Sequence, residues 1–298
     1  MGRAQTVTEA QAWVMAARPK TLPAAMAPVF VGIALAYRDR AFSLLPALAA
    51  MVGALLIQIG VNLANDYFDY VKGVDTVDRA GPTRVTQSGL IPPERVKRGM
   101  IFTFFAAMAV GVYLVAVAGW PILVIGVASI MSAVGYAGGP HPLGSHGLGD
   151  LFVFIFFGLI AVTGTYYVQA LAVTPQVFIA AVPMGGLATA ILVVNNLRDI
   201  DTDRQSGKRT LAVMIGPRAT RLEYVVLLVV AYMSPVWLWL VGHGSVWTLL
   251  PWVSLPLALQ LVRMIYGGGA GPALNDVLAK TARLELIFSL LFAMGLVM

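Results

Sequence analysis

Long apolar runs set the limits on how this 298-residue chain can fold. A helix needs about 20 mostly apolar residues to cross the hydrocarbon core of a bilayer. Because that core offers no partners for backbone N–H and C=O groups, such runs must form helices. We therefore predict an all-α integral membrane protein with a single domain, residues 1–298, and nine transmembrane helices. The nine runs lie approximately at residues 22–37, 43–64, 99–118, 121–137, 151–172, 175–196, 222–242, 246–265 and 282–298.

The composition supports the same conclusion. Hydrophobic residues make up 59% of the chain and charged residues 11%. Charged residues are about 25% of a typical soluble domain, so a soluble fold is excluded. The chain contains no cysteine, which also excludes disulfides, thiolate nucleophiles and cysteine-ligated metals.

The formal net charge of +6 raises the question of a nucleic-acid partner. With the N-terminus in the cytoplasm, the basic residues fall in the N-terminal segment and in loops near 66–98, 198–221 and 263–283. Only Arg38 and Arg40 lie on the opposite side. This asymmetry is the positive-inside pattern of membrane proteins. We therefore predict a multi-pass protein of the inner (plasma) membrane, with its polar loops in the cytoplasm and no nucleic-acid partner.

Acidic and amide side chains gather at the cytoplasmic ends of the second and sixth runs. Residues three or four apart share a face of a helix, so each cluster predicts a stripe of oxygen ligands. Each cluster has Asn followed by Asp at the fourth position, about 130 residues apart, which predicts an internal four-helix repeat. The candidate metal ligands are Asn65, Asp66, Asp69 and Asp75 in the first cluster and Asn195, Asp199 and Asp203 in the second.

Carboxylates on one helix face repel each other, and a charge within the membrane costs several kcal/mol unless it is paired. Oxygen-only ligands suit a hard cation such as Mg²⁺, which takes one or two carboxylates and completes its shell with waters and substrate phosphates. Two clusters therefore predict two Mg²⁺ ions that hold a diphosphate between them. The alternative is a set of solvated loop residues and helix caps at the membrane boundary.

Basic side chains close to these clusters indicate the ligand. Guanidinium groups bind phosphate oxygens with two hydrogen bonds, and ammonium groups act as point charges. Together with a metal at a membrane surface, they predict a diphosphate-bearing lipid. The candidate substrate-binding residues are Arg18, Lys20, Lys72, Arg84, Lys208 and Arg209.

Several segments resemble the UbiA superfamily of membrane aromatic prenyltransferases. NDYFD followed by GVD, GPTRVTQSGLI and NNLRDIDTDRQSGKRTLAV are similar to its aspartate-rich motifs. ARPKTLPAA, the block YAGGPHPLGSHGLGDLFVFIFFG (136–158) and GTYYVQ (164–169) resemble the branch that prenylates 1,4-dihydroxy-2-naphthoate in menaquinone biosynthesis. These blocks run from residue 17 to about 213, and their combination is specific.

The resemblance implies a bundle of nine helices around a central cavity, in which the acidic motifs hold Mg²⁺ against a polyprenyl diphosphate. It implies transfer of the polyprenyl group to the carboxylate-bearing carbon of 1,4-dihydroxy-2-naphthoate, with loss of CO₂, to give a demethylmenaquinol. By motif position, the first ion site comprises Asn65, Asp66 and Asp69, the second Asp199 and Asp203, and the phosphate-binding set Arg18, Arg84, Lys208 and Arg209.

The implied reaction assigns two catalytic roles. Lys208 and Arg209 would stabilise the leaving diphosphate, because cationic donors lower the barrier to breaking the allylic C–O bond. Asp150, in GLGD, lies on the cytoplasmic side and could accept the phenolic proton of the acceptor. The same residue directly precedes LFVFIFFG and could equally be a helix N-cap, so both roles remain open.

The first motif departs from the family pattern at one position. The pattern has a third acidic residue four positions after the second Asp, where this chain has Gly73. Asp75 follows two residues later. We expect Asp75 to take the missing role.

Two other functions are compatible with parts of the sequence. A sibling enzyme acting on another aromatic acceptor would carry the same acidic motifs. A secondary transporter would also carry internal repeats and polar residues on broken helices, but its site lies near the bilayer midplane. Here the acidic clusters lie at helix ends, which favours an enzyme acting on a membrane substrate.

Overall fold

The structure is a computed structural model that describes residues 7–73, 81, 83–139, 142–267 and 271–298. The described residues form helices and connecting loops, without any strand. A π-helical segment, Phe154–Ile160, joins the α-helices Gly149–Val153 and Ala161–Ala170. The α-helices are α1 (Glu9–Ala17), α2 (Leu22–Arg38), α3 (Leu44–Val71), α4 (Pro93–Ala118), α5 (Trp120–Ala137), α6 (Gly149–Val153), α7 (Ala161–Ala170), α8 (Pro175–Arg198), α9 (Ile200–Gln205), α10 (Leu211–Leu240), α11 (Leu255–Tyr266) and α12 (Leu274–Val297).

Eight helical segments of the described residues are long and apolar enough to cross a membrane. The ninth predicted span, 282–298, falls within α12, which carries four charged residues and is not among the eight. The all-α membrane fold is confirmed, whereas the count of nine spans and the four-helix repeat stay predictions. The eight segments are Glu9–Arg38, Leu44–Val71, Pro93–Ala118, Trp120–Ala137, Gly149–Ala170, Pro175–Arg198, Leu211–Leu240 and Val246–Tyr266.

Helix α8 lies at the centre of the larger hydrophobic core. It packs against α10, α12 and the π-helical segment. Its residues Met184 and Leu187 are fully buried together with Leu35 of α2 and Phe288 of α12. The polar C-terminal end of α8 is thereby fixed relative to the rest of the bundle.

Glycines allow the π-helical segment to approach α8 closely. A Cβ atom at Gly158 would lie 2.5 Å from the Cα atom of Gly185, and one at Gly185 would lie 2.7 Å from the carbonyl oxygen of Phe154. No side chain larger than hydrogen fits at such a backbone contact. This contact holds the helix that begins at Gly149 against α8.

The second acidic cluster is not on one continuous helix. Helix α8 ends at Arg198, Asp199 has φ −95° and ψ 8°, and α9 begins at Ile200. The expectation that Asn195, Asp199 and Asp203 form one helical stripe is therefore wrong. The chain bends at Asp199, where the ψ angle leaves the helical range. The N–H of Asp199 nevertheless still bonds to the carbonyl of residue 195.

Candidate active site

Asn65, Asp66 and Asp69 of the first acidic cluster lie in the last two turns of α3, as the helical spacing predicted. Asn62, one turn earlier, donates to the carbonyl oxygen of Ala17 at 2.8 Å and to Thr21 Oγ1 at 3.0 Å. Gln58 also donates to Thr21 Oγ1, at 3.3 Å. These bonds attach the segment between α1 and α2, with Arg18, to the same end of α3.

Asp66 organises the loop that follows α3. Its two carboxylate oxygens accept the backbone N–H groups of Val85 and Thr86, at 3.1 and 3.0 Å. The residue is only 1% exposed. Through these two bonds Asp66 holds the loop against α3.

Asp69 contacts basic side chains from two polar loops, the loop after α3 and the loop after α9. Its Oδ2 atom lies 2.7 Å from Arg84 Nη2, and its Oδ1 atom lies 3.5 Å from Lys208 Nζ. Arg84 comes from the loop after α3, and Lys208 comes from the loop after α9. Asp69 and Arg84 are both buried, so the pair is shielded from bulk water. The predicted proximity of the acidic and basic side chains is thus present at Asp69.

Lys72 lies next to this pair, at the C-terminal end of α3. Its Nζ atom donates to the carbonyl oxygen of Ala137, at 2.6 Å. Partial burial lowers the pKa of Lys72 below its usual value, although the negative charge of Asp69 opposes the shift and Lys208 adds to it. Lys72 and Lys208 are therefore two ammonium groups that act on the same carboxylate.

The second acidic cluster divides into two environments. Asp199 is buried and forms a two-point ion pair with Arg198, while Asn195 accepts a hydrogen bond from the same guanidinium. Asp203 is half-buried, and its carbonyl oxygen accepts the N–H of Lys208 at 2.9 Å. The charge of Asp203 acts on Tyr136, as does that of Asp69.

The loop before α6 closes over the start of α10. The N–H of Arg209 donates to the carbonyl oxygen of Ser145, at 2.9 Å. Gly147 has φ +76°, a conformation that favours glycine, and a Cβ atom there would lie 2.8 Å from Met214 Sδ. The main chain of Arg209 therefore builds the site, while its side chain is exposed.

Asp150 is the second residue of α6 and is buried. The N-cap of α6 is Leu148, and no side chain caps the helix, which does not support the capping role for Asp150. Its Oδ2 atom has no hydrogen-bond partner among the described residues. Its charge acts on both Tyr136 and Glu223 of α10.

The sequence motifs did not indicate two further charged residues near the acidic clusters, Glu223 and Arg198. Glu223 is a single charge near the start of a long apolar run, and an ionisable residue within a membrane span is by itself a signal of function. Arg198 directly precedes Asp199 and was overlooked because adjacent residues do not share a helix face. The bend at Asp199 brings their side chains together.

An apolar cavity of about 700 Å³ lies beside the acidic cluster. Polar groups from α3, including Asn62 and Asn65, line part of it, and Tyr136, Phe152 and Phe156 contribute aromatic walls. The remaining walls are mostly aliphatic residues of α3, α4 and α5. The cavity suits an apolar chain whose polar end lies at Asn65, one helical turn from Asp69.

The remaining predicted residues are placed as follows. Arg18 is half-buried at the turn between α1 and α2, with φ +52°, and Lys20 is exposed. Asp75 lies outside the described residues. The structure therefore groups Lys72, Arg84 and Lys208 around Asp69, and it does not bring Lys20 or the side chain of Arg209 into that group.

The donor atoms fit Mg²⁺ when a diphosphate supplies part of the coordination shell. Among the described residues, no three His, Asp or Glu side chains cluster closely enough to hold a metal by themselves. Mg²⁺ uses one or two carboxylates together with waters and substrate phosphates. Asn65 lines the cavity, and further oxygen ligands come from Asp69, one turn along α3, and from Asp203, whose charges both act on Tyr136.

Comparison with known proteins gives relatives over almost the whole chain. A 1,4-dihydroxy-2-naphthoate octaprenyltransferase of Escherichia coli strain K12 is 39% identical over 298 residues, covering 98% of this chain and 97% of the relative. One of Mycobacterium leprae is 39% identical over 281 residues, covering 94% of each.

Solved structures of low sequence identity share the fold. A UbiA homolog from Archaeoglobus fulgidus bound to DMAPP and Mg²⁺ has a TM-score of 0.70 at 13% identity, covering 96% of this chain and 98% of that chain. The model of the UbiA prenyltransferase family matches residues 25–270. With this match and these full-length relatives, the chain belongs to the UbiA prenyltransferase family.

Proposed function

We propose that this protein transfers a polyprenyl group from a polyprenyl diphosphate to 1,4-dihydroxy-2-naphthoate, with decarboxylation, to give a demethylmenaquinol. The observation that carries the proposal is the convergence of Arg84, Lys72 and Lys208 on Asp69 beside an apolar cavity. The acceptor is taken from the relatives, which are 1,4-dihydroxy-2-naphthoate octaprenyltransferases and 39% identical to this chain.

The diphosphate end of the donor would bind where the two polar loops meet. Arg84 offers the planar donor geometry that matches phosphate oxygens, and Lys72 and Lys208 add point charges. Asn65, Asp69 and Asp203 would hold Mg²⁺, with Asp75 as a further proposed ligand. When bound, Mg²⁺ would neutralise charge on the leaving diphosphate.

Ionisation breaks the allylic C–O bond, and the electron pair leaves with the diphosphate. Arg84 and the two lysines stabilise the negative charge that develops on the leaving oxygen. The allylic fragment is left in the apolar cavity, where water is excluded. The rings of Tyr136 and Phe152 line this cavity and present π faces that attract a cation.

The electron-rich naphthoate ring then forms a bond from its carboxylate-bearing carbon to the allylic carbon. Loss of CO₂ returns the bonding electrons to the ring and restores its aromaticity. Asp150 would accept the hydroxyl proton of the acceptor as the bond forms and return it to the same oxygen after CO₂ leaves, because its Oδ2 atom is buried without a partner among the described residues and its charge acts at Tyr136. The positive-inside distribution of charge supports a reaction at the cytoplasmic face of the inner membrane.

The test uses purified protein with Mg²⁺, a polyprenyl diphosphate and either 1,4-dihydroxy-2-naphthoate or 4-hydroxybenzoate. We expect a prenylated naphthoquinol with release of CO₂. Asp69→Ala should abolish the product, because it removes the carboxylate that three cations share. Asp276→Ala, at an exposed Asp paired with Lys280, is the matched control and should keep full activity.

Two results would contradict the proposal in different ways. Prenylation of 4-hydroxybenzoate alone would keep the chemistry and change the acceptor, giving the sibling enzyme. Absence of prenyl transfer to any aromatic acceptor would remove the enzymatic function and favour a transporter.

A further inference from the structure

Helix α2 ends in a turn that places an arginine where glycine is usual. The N–H of Arg40 donates to the carbonyl oxygen of Tyr37 at 3.0 Å, and the N–H of Ala41 donates to the carbonyl oxygen of Ala36 at 2.8 Å. This pair of bonds defines a Schellman turn, in which the left-handed residue is usually glycine. Here that residue is Arg40, with φ +58°. Because a side chain is strained in this conformation, the turn itself gives no reason for an arginine.

The charge of Arg40 is not balanced by the described residues around it. Its neighbour Arg38 donates from Nε to Asp39 Oδ1 at 2.9 Å and from Nη1 to the carbonyl oxygen of His243 at 3.0 Å. The pair of Arg38 and Asp39 is electrically neutral. Arg40 is exposed and, within the described part of the chain, its side chain has no ion pair and no hydrogen bond. The net positive charge of this turn therefore comes from Arg40.

Arg38 and Arg40 line a surface pocket of about 410 Å³. Its other lining residues are Tyr37, Phe42 and Val297. The rings of Tyr37 and Phe42 meet edge to face, with centroids 6.0 Å apart, and both residues are exposed. The pocket thus combines an unpaired guanidinium with two exposed aromatic rings.

The pocket lies where two membrane-spanning segments end. Segment Glu9–Arg38 ends at the pocket, and segment Leu44–Val71 begins two residues after Phe42. Leu44 and Leu45, in the first turn of α3, are 59% and 67% exposed, as residues that face lipid would be. Exposed aromatic rings beside such residues are typical of the membrane–water interface. A molecule with an anionic group at Arg40 and an apolar part against α3 would fit this surface.

We propose that this pocket binds the headgroup of an anionic phospholipid, in the leaflet opposite to the acidic clusters. The phosphate oxygens accept hydrogen bonds from the guanidinium of Arg40, whose planar geometry matches them. The acyl chains lie against Leu44 and Leu45. A zwitterionic headgroup is disfavoured, because its ammonium would bring a second positive charge next to Arg40. The pocket is at the far end of α2 from the proposed diphosphate site, so the lipid site does not depend on the proposed reaction.

The test uses a fluorophore beside the pocket. Because the chain has no cysteine, Ser43→Cys can be labelled alone, at an exposed position whose side chain does not cap α3. The labelled full-length protein, in neutral detergent, is titrated with dioctanoyl phosphatidylglycerol, dioctanoyl phosphatidylcholine or sodium phosphate. We expect phosphatidylglycerol to bind about fivefold more tightly than phosphatidylcholine, since a basic residue near an anionic membrane surface contributes about 1 kcal/mol.

Two results of these titrations would overturn the proposal. Equal affinity for the two lipids would show that the anionic charge is not recognised. Binding of sodium phosphate as tight as that of phosphatidylglycerol would show a site for free phosphate, without any part for the lipid.

Arg40→Gly, in the same labelled protein, separates ligand binding from the structure of the turn. Glycine relieves the left-handed conformation, so the variant should melt at an equal or higher temperature without lipid. Its affinity for phosphatidylglycerol should nevertheless fall about fivefold. Arg218→Gln is the matched control: it removes one exposed positive charge at the opposite end of α10 and should keep the affinity. Unchanged affinity in Arg40→Gly, or equal losses in both variants, would overturn the proposal.

Discussion

Asp66 and Asp69 are one helical turn apart in α3, yet they have different partners. Asp66 accepts two backbone N–H groups, whereas Asp69 contacts the side chains of Arg84 and Lys208. A carboxylate that satisfies buried N–H groups contributes to stability. Asp66 therefore stabilises the loop, whereas Asp69, which is paired with side-chain cations, has the binding role that we propose.

Asp66→Ala should destabilise the protein. It leaves two buried N–H groups without partners, at about 1–3 kcal/mol for each unsatisfied group. The measurement is thermal unfolding of the detergent-purified protein. Asp201→Ala removes a carboxylate whose ion pair with Arg204 is exposed, and it should change stability by less than about 1 kcal/mol. Equal melting temperatures for the two variants would show that Asp66 does not hold the loop.

Asp39, between α2 and α3, should give the stability a dependence on acid pH. Burial raises the pKa of Asp39, but hydrogen bonds from Arg38 and Tyr166 outweigh burial and leave the pKa below its usual value. A lowered folded-state pKa stabilises the protein above the unfolded-state pKa of about 3.9, and this contribution is lost as pH falls through the folded value.

The free energy of unfolding of the unaltered protein should therefore exceed that of Asp39→Asn by no more than about 1 kcal/mol at neutral pH, since the group is partly exposed. The difference should shrink as pH falls below about 4. Chemical denaturation of both proteins at several pH values measures this difference in the free energy of unfolding. Tyr166→Phe removes one donor and should reproduce part of the loss, whereas a difference that grows in acid would reverse the assigned sign.

The residue types at the site could be predicted from the sequence, but their pairings could not. Charge balance in an apolar chain requires that Arg84 and Lys208 lie near carboxylates, because unpaired charges are costly there. Nothing in the spacing distinguishes Asp66 from Asp69, since the fold of the loop after α3 decides which carboxylate receives main-chain donors. The pairing of Arg198 with Asp199 depends on a bend that no glycine or proline marks.

At the scale of single elements, the contact between the π-helical segment and α8 should be sensitive to one methyl group. Gly158→Ala would place its Cβ atom 2.5 Å from the Cα atom of Gly185, so the two helices must move apart. We expect a loss of about 1–3 kcal/mol in the free energy of unfolding, the usual effect of overpacking. Melting temperature in detergent measures this loss.

Gly111→Ala is the control for this contact. Gly111 lies within α4, and a Cβ atom there would meet no other atom within 4 Å. Alanine is favoured over glycine in a helix by about 1 kcal/mol, so this variant should be unchanged or more stable. If Gly158→Ala were equally harmless, the close approach of the two helices would not be required for the fold.

The helices themselves follow from the apolar runs, but their ends do not. Helix α3 continues to Val71, beyond the end of its apolar run, and so carries Asp66 and Asp69 in regular helix. Helix α8 stops at Arg198 although the sequence NNLRDIDTD continues with helix-compatible residues. Apolar periodicity reports burial in the membrane, whereas these ends depend on hydrogen bonds from loops far away in the sequence.

For the whole molecule, the distribution of charge predicts which face is cytoplasmic. The loops that carry Arg84, Lys208 and Arg209 all lie on the side of Asp69, while Arg38 lies at the other end of α2, where its Nη1 atom donates to the carbonyl oxygen of His243. Basic loops are retained in the cytoplasm. The diphosphate site should therefore open to the compartment in which soluble aromatic acids are available.

The absence of cysteine from the sequence allows this orientation to be measured directly. Single cysteines are introduced by Gln205→Cys in α9 and by His243→Cys at the turn after α10, both at exposed positions. Added to intact cells, a membrane-impermeant maleimide should label the His243→Cys variant, and it should label the Gln205→Cys variant only after the membrane is permeabilised. Labelling of Gln205→Cys in intact cells would place the acidic clusters outside the cytoplasm. The positive-inside assignment would then be wrong, and with it the side from which the acceptor reaches Asp69.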